Sequence, residues 1–287
     1  MYNKTLISMI KKLLKAIIPE KFIKKFWWYH WYITQLAVPN IRKGKIYFNL
    51  RFRITVKHPY YLSRGPLTYN EDGLATSHIC GFLSDPKFTA SYSLGERTGS
   101  FGSSVIRYRA YIACWCASQV KGLQGDFVEC GVNKGGLSRT IINYIDFDSL
   151  GKTLYLLDTF NGLVEELISP EEKNQGIKSR DYEECYHEVQ NTFKNHNVKI
   201  IRGTVPDTLV QVGSDKVCYL SIDMNCIYPE IKALDYFWDK LVPGAMVLLD
   251  DYGRTSFPEH KPTYDDYVQT KGKQILTLPT GQGLLIM

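Results

Sequence analysis

Three aspartates dominate the chemistry open to this chain. Asp223 closes the apolar run Val217–Asp223, and Asp250 with Asp251 closes the run Ala245–Asp250. Both runs read as buried strands. If the two strands lie side by side, three carboxylates meet at one edge of a sheet. Clustered carboxylates repel one another and require a countercharge, and hard oxygen ligands suit Mg²⁺. A metal held there would lower the pKa of a substrate hydroxyl and orient it. Alternatively, one aspartate of the pair caps the following loop while the other binds the ligand.

A second constellation precedes these. In Gly125-Asp-Phe-Val-Glu-Cys-Gly-Val-Asn-Lys-Gly-Gly136 a strand runs into a glycine turn, and Leu137–Ile145 reads as the helix that leaves it. This arrangement aims free N–H groups and a positive dipole end at the mouth of a sheet. Glu129 at the tip would repel a pyrophosphate, and the third glycine of the dinucleotide fingerprint is displaced, which argues against NAD. Glu129, Gly131 and Gly135 instead suit a ligand carrying positive charge, such as S-adenosylmethionine. Asp158 ends the next strand, where an acid accepts hydrogen bonds from ribose hydroxyls, or else caps the following segment. Thr159 and Phe160 follow it, Phe160 as an aromatic for adenine, and Gly203 and Thr204 lie where the base would rest.

These residues need elements to position them. Strands are expected at Asp126–Gly131, Thr153–Asp158, Val198–Arg202, Val217–Asp223 and Ala245–Asp250. Helices are expected at Arg107–Lys121, Leu137–Ile145, Tyr182–Lys194, Pro206–Val212 and Pro229–Lys240. The alternation predicts an α/β fold, a doubly wound and mostly parallel sheet covered on both faces. Gln274–Leu278 and Gly283–Met287 add a terminal hairpin, for seven strands in all. Gly65–Gly102, rich in Gly, Ser, Thr and Asp, reads as a long connection.

Composition agrees with one such domain plus an extension. The 287 residues are 44% hydrophobic and 13% aromatic, which supports a sizeable core. Seven cysteines without a C-x-x-C pair predict reduced thiols and a cytoplasmic setting rather than a disulfide framework. The net charge of +6 is uneven. Residues 1–60 hold thirteen lysines and arginines against Glu20 alone, a net +12, so the remainder carries −6. Nothing in that balance supports nucleic-acid binding. Leu6, Ile10, Leu13, Leu14, Ile17 and Ile18 recur at helical spacing among lysines, and Phe26, Trp27, Trp28, Tyr29, Trp31 and Tyr32 crowd together after Pro19. That make-up suits peripheral attachment of residues 1–35 at the inner face of a membrane. It equally suits a helix packed on the domain or on a second subunit of a homo-oligomer. Gly44–Val56 alternates as a short strand or hairpin arm. The expected division is a basic helical extension at 1–100 and a catalytic domain at 101–287.

Five motifs in order carry a resemblance. Glu129-Cys-Gly-Val-Asn-Lys-Gly-Gly136, Leu157-Asp-Thr-Phe-Asn-Gly162, Gly203-Thr-Val-Pro-Asp-Thr-Leu209, Ser221-Ile-Asp223 and Leu241-Val-Pro-Gly-Ala-Met-Val-Leu-Leu-Asp-Asp-Tyr-Gly253 resemble the macrocin O-methyltransferase family, from roughly Arg107 to the C-terminus. The resemblance implies a class I, Rossmann-like methyltransferase fold that uses S-adenosylmethionine, usually with Mg²⁺, to methylate a sugar hydroxyl. By match of motif, Glu129, Gly131 and Asp158 would bind the cofactor, and Asp223, Asp250 and Asp251 the metal. The chain departs from the family in three places. Asn225 replaces the second acid of a D-x-D, Cys226 stands where related catechol-type enzymes carry a lysine base, and Arg254 replaces a histidine after D-D-Y-G. The general base is therefore left open among Asp223, Tyr252 and His260. Two other readings stand beside this one: an adenosylmethionine-dependent enzyme with another acceptor or no metal, and a membrane-associated nucleoside-binding protein without turnover.

Overall fold

Apolar runs set the sheet. The computed structural model describes residues 40–42, 45–47, 67–179 and 182–287. Contacts divide the chain into two units, 1–69 with 75–79, and 70–74 with 80–287. Asn40–Arg42 (β1) and Lys45–Tyr47 (β2) pair antiparallel, β2 falling inside the stretch read as a hairpin arm. The segments read as an amphipathic helix and an aromatic cluster, residues 1–35, lie outside the described residues. Tyr69–Glu71 (β3) and Leu74–Thr76 (β4) are two further short strands.

The second unit holds the main sheet. Asp126–Cys130 (β5), Leu154–Asp158 (β6), Val198–Arg202 (β7), Val217–Ile222 (β8) and Leu241–Leu249 (β9) run parallel. Leu276–Thr277 (β10) and Gly283–Ile286 (β11) close one edge antiparallel, in the order β10-β11-β9-β8-β5-β6-β7. Every residue of β8 is buried, as expected of a strand covered by helices on both faces. Val128, Leu157, Leu220, Ile222 and Val247 form the centre of the core at 0% exposure. Each such side chain contributes roughly 1.5–3 kcal/mol by leaving water.

The helices are Pro86–Glu96 (α1), Arg107–Val120 (α2), Gly136–Ile145 (α3), Pro170–Asn174 (α4), Tyr186–Phe193 (α5), Ile227–Trp238 (α6) and His260–Thr270 (α7). Four stretches depart from the sequence reading, among them the short α4, where no helix is expected. The stretch taken as a connection contains α1. Asp85 caps it by accepting from Lys87 N at 2.9 Å, Pro86 occupies its first turn, and Phe88, Ser91, Tyr92 and Gly95 are buried. Gly95 is there for contact, not for flexibility. A Cβ on it would sit 2.0 Å from Thr140 Oγ1 and 2.4 Å from the Gly136 carbonyl oxygen of α3. Helix α7 was not anticipated, because its polar sequence buries only His260, Tyr264 and Val268. Pro206–Val212 makes a single 3₁₀ turn at Leu209–Gln211, closed by i→i+3 bonds, since Gly213 follows before an α-helix can form. All seven cysteines are free, and six are buried. Among the described residues no helix is long and apolar enough to cross a membrane.

Candidate active site

Strand register assembles the site. Cys130 pairs with Leu157 on one side and with Ile222 on the other, and Ile222 pairs with Leu249. The residues one step further, Gly131, Asp158, Asp223 and Asp250, therefore leave the sheet in one row at the carboxyl ends of four parallel strands. The ladder continues through them. Gly131 N donates to Leu157 O at 2.9 Å, Asp223 N to Cys130 O at 2.8 Å and Asp250 N to Ile222 O at 3.0 Å. Gly131 has φ +86°, and a Cβ there would lie 1.8 Å from the Asp223 carbonyl oxygen. Only glycine lets the turn pass this close to the acidic strand end.

A cavity of about 340 Å³ opens over this row. Glu129, Gly131 and Asp158 line it, as do Thr159, Phe160, Gly203 and Thr204 from the next two strand ends. Asp158 also stitches the turn in place. Its Oδ2 accepts from Val132 N (2.6 Å) and Asn133 N (2.8 Å), and its Oδ1 accepts from Phe160 N (2.7 Å). Asn133 and Phe160 hold φ of 51° and 54°. Glu129 is buried and accepts from the Ser138 hydroxyl. Burial pushes its carboxyl up to about 8; the Ser138 bond pulls down and the charges of Asp158 and Asp250 push up. It forms no ion pair among the described residues, so a cationic ligand would relieve it. Gly135 begins α3 with φ +80°, beside Phe193 and outside the cavity lining.

The carboxylates of Asp223, Asp250 and Asp251 offer oxygens within 4.8 Å of one another and line the same cavity. Their surroundings differ. Asp250 Oδ1 accepts from Gln282 Nε2 at 2.9 Å, and its Oδ2 accepts from Arg109 Nη1 at 2.5 Å. Asp223 Oδ1 accepts from Asn225 Nδ2 at 3.1 Å, so the amide that replaces an acid in the family pattern binds its neighbour. Asp251 is 1% exposed, and neither of its oxygens accepts a hydrogen bond among the described residues. Its nearest cation is Arg254 Nη1, at 3.5 Å. Burial first, then the charge of Asp250, and after it Asp251 for Asp223 and Glu230 for Asp251, push these two carboxyls well above the usual range. Buried oxygens without partners, in a set of hard ligands, fit a divalent cation such as Mg²⁺.

Two residues read as candidate bases lie elsewhere. Tyr252 is buried toward α7, donating to Asp265 Oδ1 at 2.5 Å and accepting from Lys261 Nζ at 2.8 Å. His260 is fully buried, with Nε2 3.4 Å from Glu230 Oε2. Burial drives its pKa down to about 4, against the charges of Glu172 and Glu259. Neither lines the cavity. Glu230, not anticipated, supports the acidic loop from behind, accepting from Met224 N and from the Tyr264 hydroxyl, both at 2.9 Å. Arg109 was also missed. A signal existed: it shares the buried face of α2 with Ala113, Cys116, Ala117 and Val120, and a charge on an apolar stripe demands a partner.

Residues 101–274 match the family described as Macrocin-O-methyltransferase (TylF). The mycinamicin III 3''-O-methyltransferase of Micromonospora griseorubida is 21% identical over 194 residues, covering 61% of this chain and 76% of that protein. Among solved structures, the O-methyltransferase NovP superposes with a TM-score of 0.52 at 23% identity, covering 62% of this chain and 78% of that one. The calicheamicin methyltransferase CalS11 gives 0.50 at 14% identity, over 70% and 93%. At these identities the two structures speak for the fold.

Proposed function

The chain belongs to the macrocin-O-methyltransferase family, and from that premise we propose that it transfers the methyl group of S-adenosylmethionine to a hydroxyl of a sugar or glycosylated product, assisted by Mg²⁺. The relative named mycinamicin III 3''-O-methyltransferase is an O-methyltransferase by its name, and the family resemblance supplies the sugar hydroxyl as acceptor class. One observation carries the metal and the chemistry together. The glycine turn and Asp158 stand in the same row as three converging carboxylates, one of which has buried oxygens without partners.

In this reading Asp158 accepts from ribose hydroxyls with its spare acceptor capacity, and Glu129 gives up its proton as the cationic cofactor binds. Phe160, Gly203 and Thr204 shape the base end. Asp223, Asp250 and Asp251 would hold the metal, which when bound supplies Lewis-acid charge that makes an adjacent hydroxyl more acidic. Of the three candidate bases only Asp223 lines the cavity, so we assign it the acceptor's proton. S-adenosylmethionine, when bound, would supply the methyl group to the acceptor oxygen, with a neutral thioether as leaving group and the acceptor's proton passing to Asp223. Alignment of oxygen, methyl and sulfur is the rest of the catalysis. The methyltransferase domain is taken as residues 101–287, completed by α1.

The test is calorimetric titration of S-adenosylhomocysteine with Mg²⁺ and with chelator, followed by methyl transfer to sugar-bearing acceptors. Micromolar binding and chelator-sensitive transfer support the reading. Transfer that survives chelation removes the metal, and binding without turnover on any acceptor turns the protein into a nucleoside-binding scaffold.

A further inference from the structure

The aspartate cluster already contains a cation. Arg109 reaches from α2 between two carboxylates, Nη1 lying 2.5 Å from Asp250 Oδ2 and Nε lying 2.6 Å from Asp72 Oδ2. Nη2 donates to Asp72 Oδ1 at 3.2 Å, so the grip on Asp72 is bidentate. Arg109 is 9% exposed and lines the cavity with Asp72. Asp72 sits in the Asp72–Gly73 turn, with φ of 50° and 78° at the two residues. A buried guanidinium without partners would be prohibitive, and so would the buried pair Asp250 and Asp251 beside half-buried Asp223 without a cation. Each need meets the other here, while Asp251 keeps its oxygens unpartnered.

We propose that Arg109 is a positioning residue that serves as the resident countercharge of the aspartate cluster. Shared between Asp250 and the turn residue Asp72, it sets how tightly the cluster takes a divalent cation. The second half rests on the Mg²⁺ reading above; the first does not. Asp72 acts as a bleed on the arginine. The more of the guanidinium it holds, the less positive charge opposes a cation at Asp250. Gln282 fixes the other oxygen of Asp250, so the carboxylate cannot rotate away when the arginine is weakened.

The two partners therefore predict shifts of opposite sign. In titrations of the full chain with Mg²⁺ alone, Arg109→Gln raises affinity about tenfold, because a positive charge leaves the site. Asp72→Asn lowers affinity severalfold, because the arginine's charge falls wholly on Asp250. With chelator present, Arg109→Gln loses several degrees of thermal midpoint, and adding Asp250→Asn restores most of it. A merely structural clamp moves both single variants the same way, or leaves Mg²⁺ affinity untouched; either result overturns the proposal. If neither the parent nor any variant binds Mg²⁺, the metal reading falls, and the chelator arm alone decides the countercharge. Restoration by the double variant then upholds it, and its absence refutes it.

Discussion

Replacing Asp158 by asparagine tests whether one carboxylate both builds and uses the cofactor turn. In the folded protein its two oxygens accept three backbone N–H bonds, two from Val132 and Asn133 and one from Phe160. Asparagine keeps the shape but offers a single acceptor oxygen. Its amide NH₂ must face either Phe160 N–H or the Val132–Asn133 pair, donor against donor. Hydrogen bonds to charged groups contribute about 1.5–3 kcal/mol each, and the remaining oxygen also loses its charge, so a loss of about 2–4 kcal/mol is expected. For a chain of this size that corresponds to a midpoint lower by roughly 3–7 °C. Scanning calorimetry without ligand reads this directly. Titration with S-adenosylhomocysteine then reports affinity, expected to fall at least tenfold because the turn loosens and the ribose acceptor weakens together. A midpoint within 1 °C of the parent refutes the stitching role. A lowered midpoint with unchanged affinity refutes the coupling of turn to ligand.

Other perturbations follow from the same geometry. Asp251→Asn removes a buried carboxylate that accepts no hydrogen bond, so the chelated protein should gain a few degrees while losing any stabilisation by Mg²⁺; a loss of stability in chelator contradicts this. Glu129 has its folded pKa raised to about 8, above its unfolded value, so the folded state binds the extra proton between about pH 4.5 and 8. Stability from this group is full at low pH and declines as pH rises through that window, by at most about 1.4 kcal/mol per pH unit. Glu129→Gln should flatten the profile of midpoint against pH, and an unaltered slope would discard the assignment. Deleting residues 1–35 should abolish sedimentation with anionic vesicles if the basic aromatic segment is a membrane contact, whereas aggregation or loss of an oligomer in gel filtration favours a packing role.

Alternating apolar runs and glycine turns act within a few residues, and they placed β5 through β9 and helices α2, α3, α5 and α6 close to where they lie. Gly131, Asp158, Asp223 and Asp250 were legible as strand-end residues for the same reason. The segment Cys80–Glu96 misled because its Gly and Ser suggest a linker, while Gly95 is there to admit α3 at close range, a demand that exists only once the helices pack. The direction of Tyr252 and His260 depended on α7, whose few buried residues give a weak pattern. Most of all, the partner of Asp250 lies 141 residues away on α2. Composition and spacing can say that a carboxylate cluster needs a countercharge. Which charge answers depends on strand order and register, which join positions far apart in the chain, and only the folded sheet decides that.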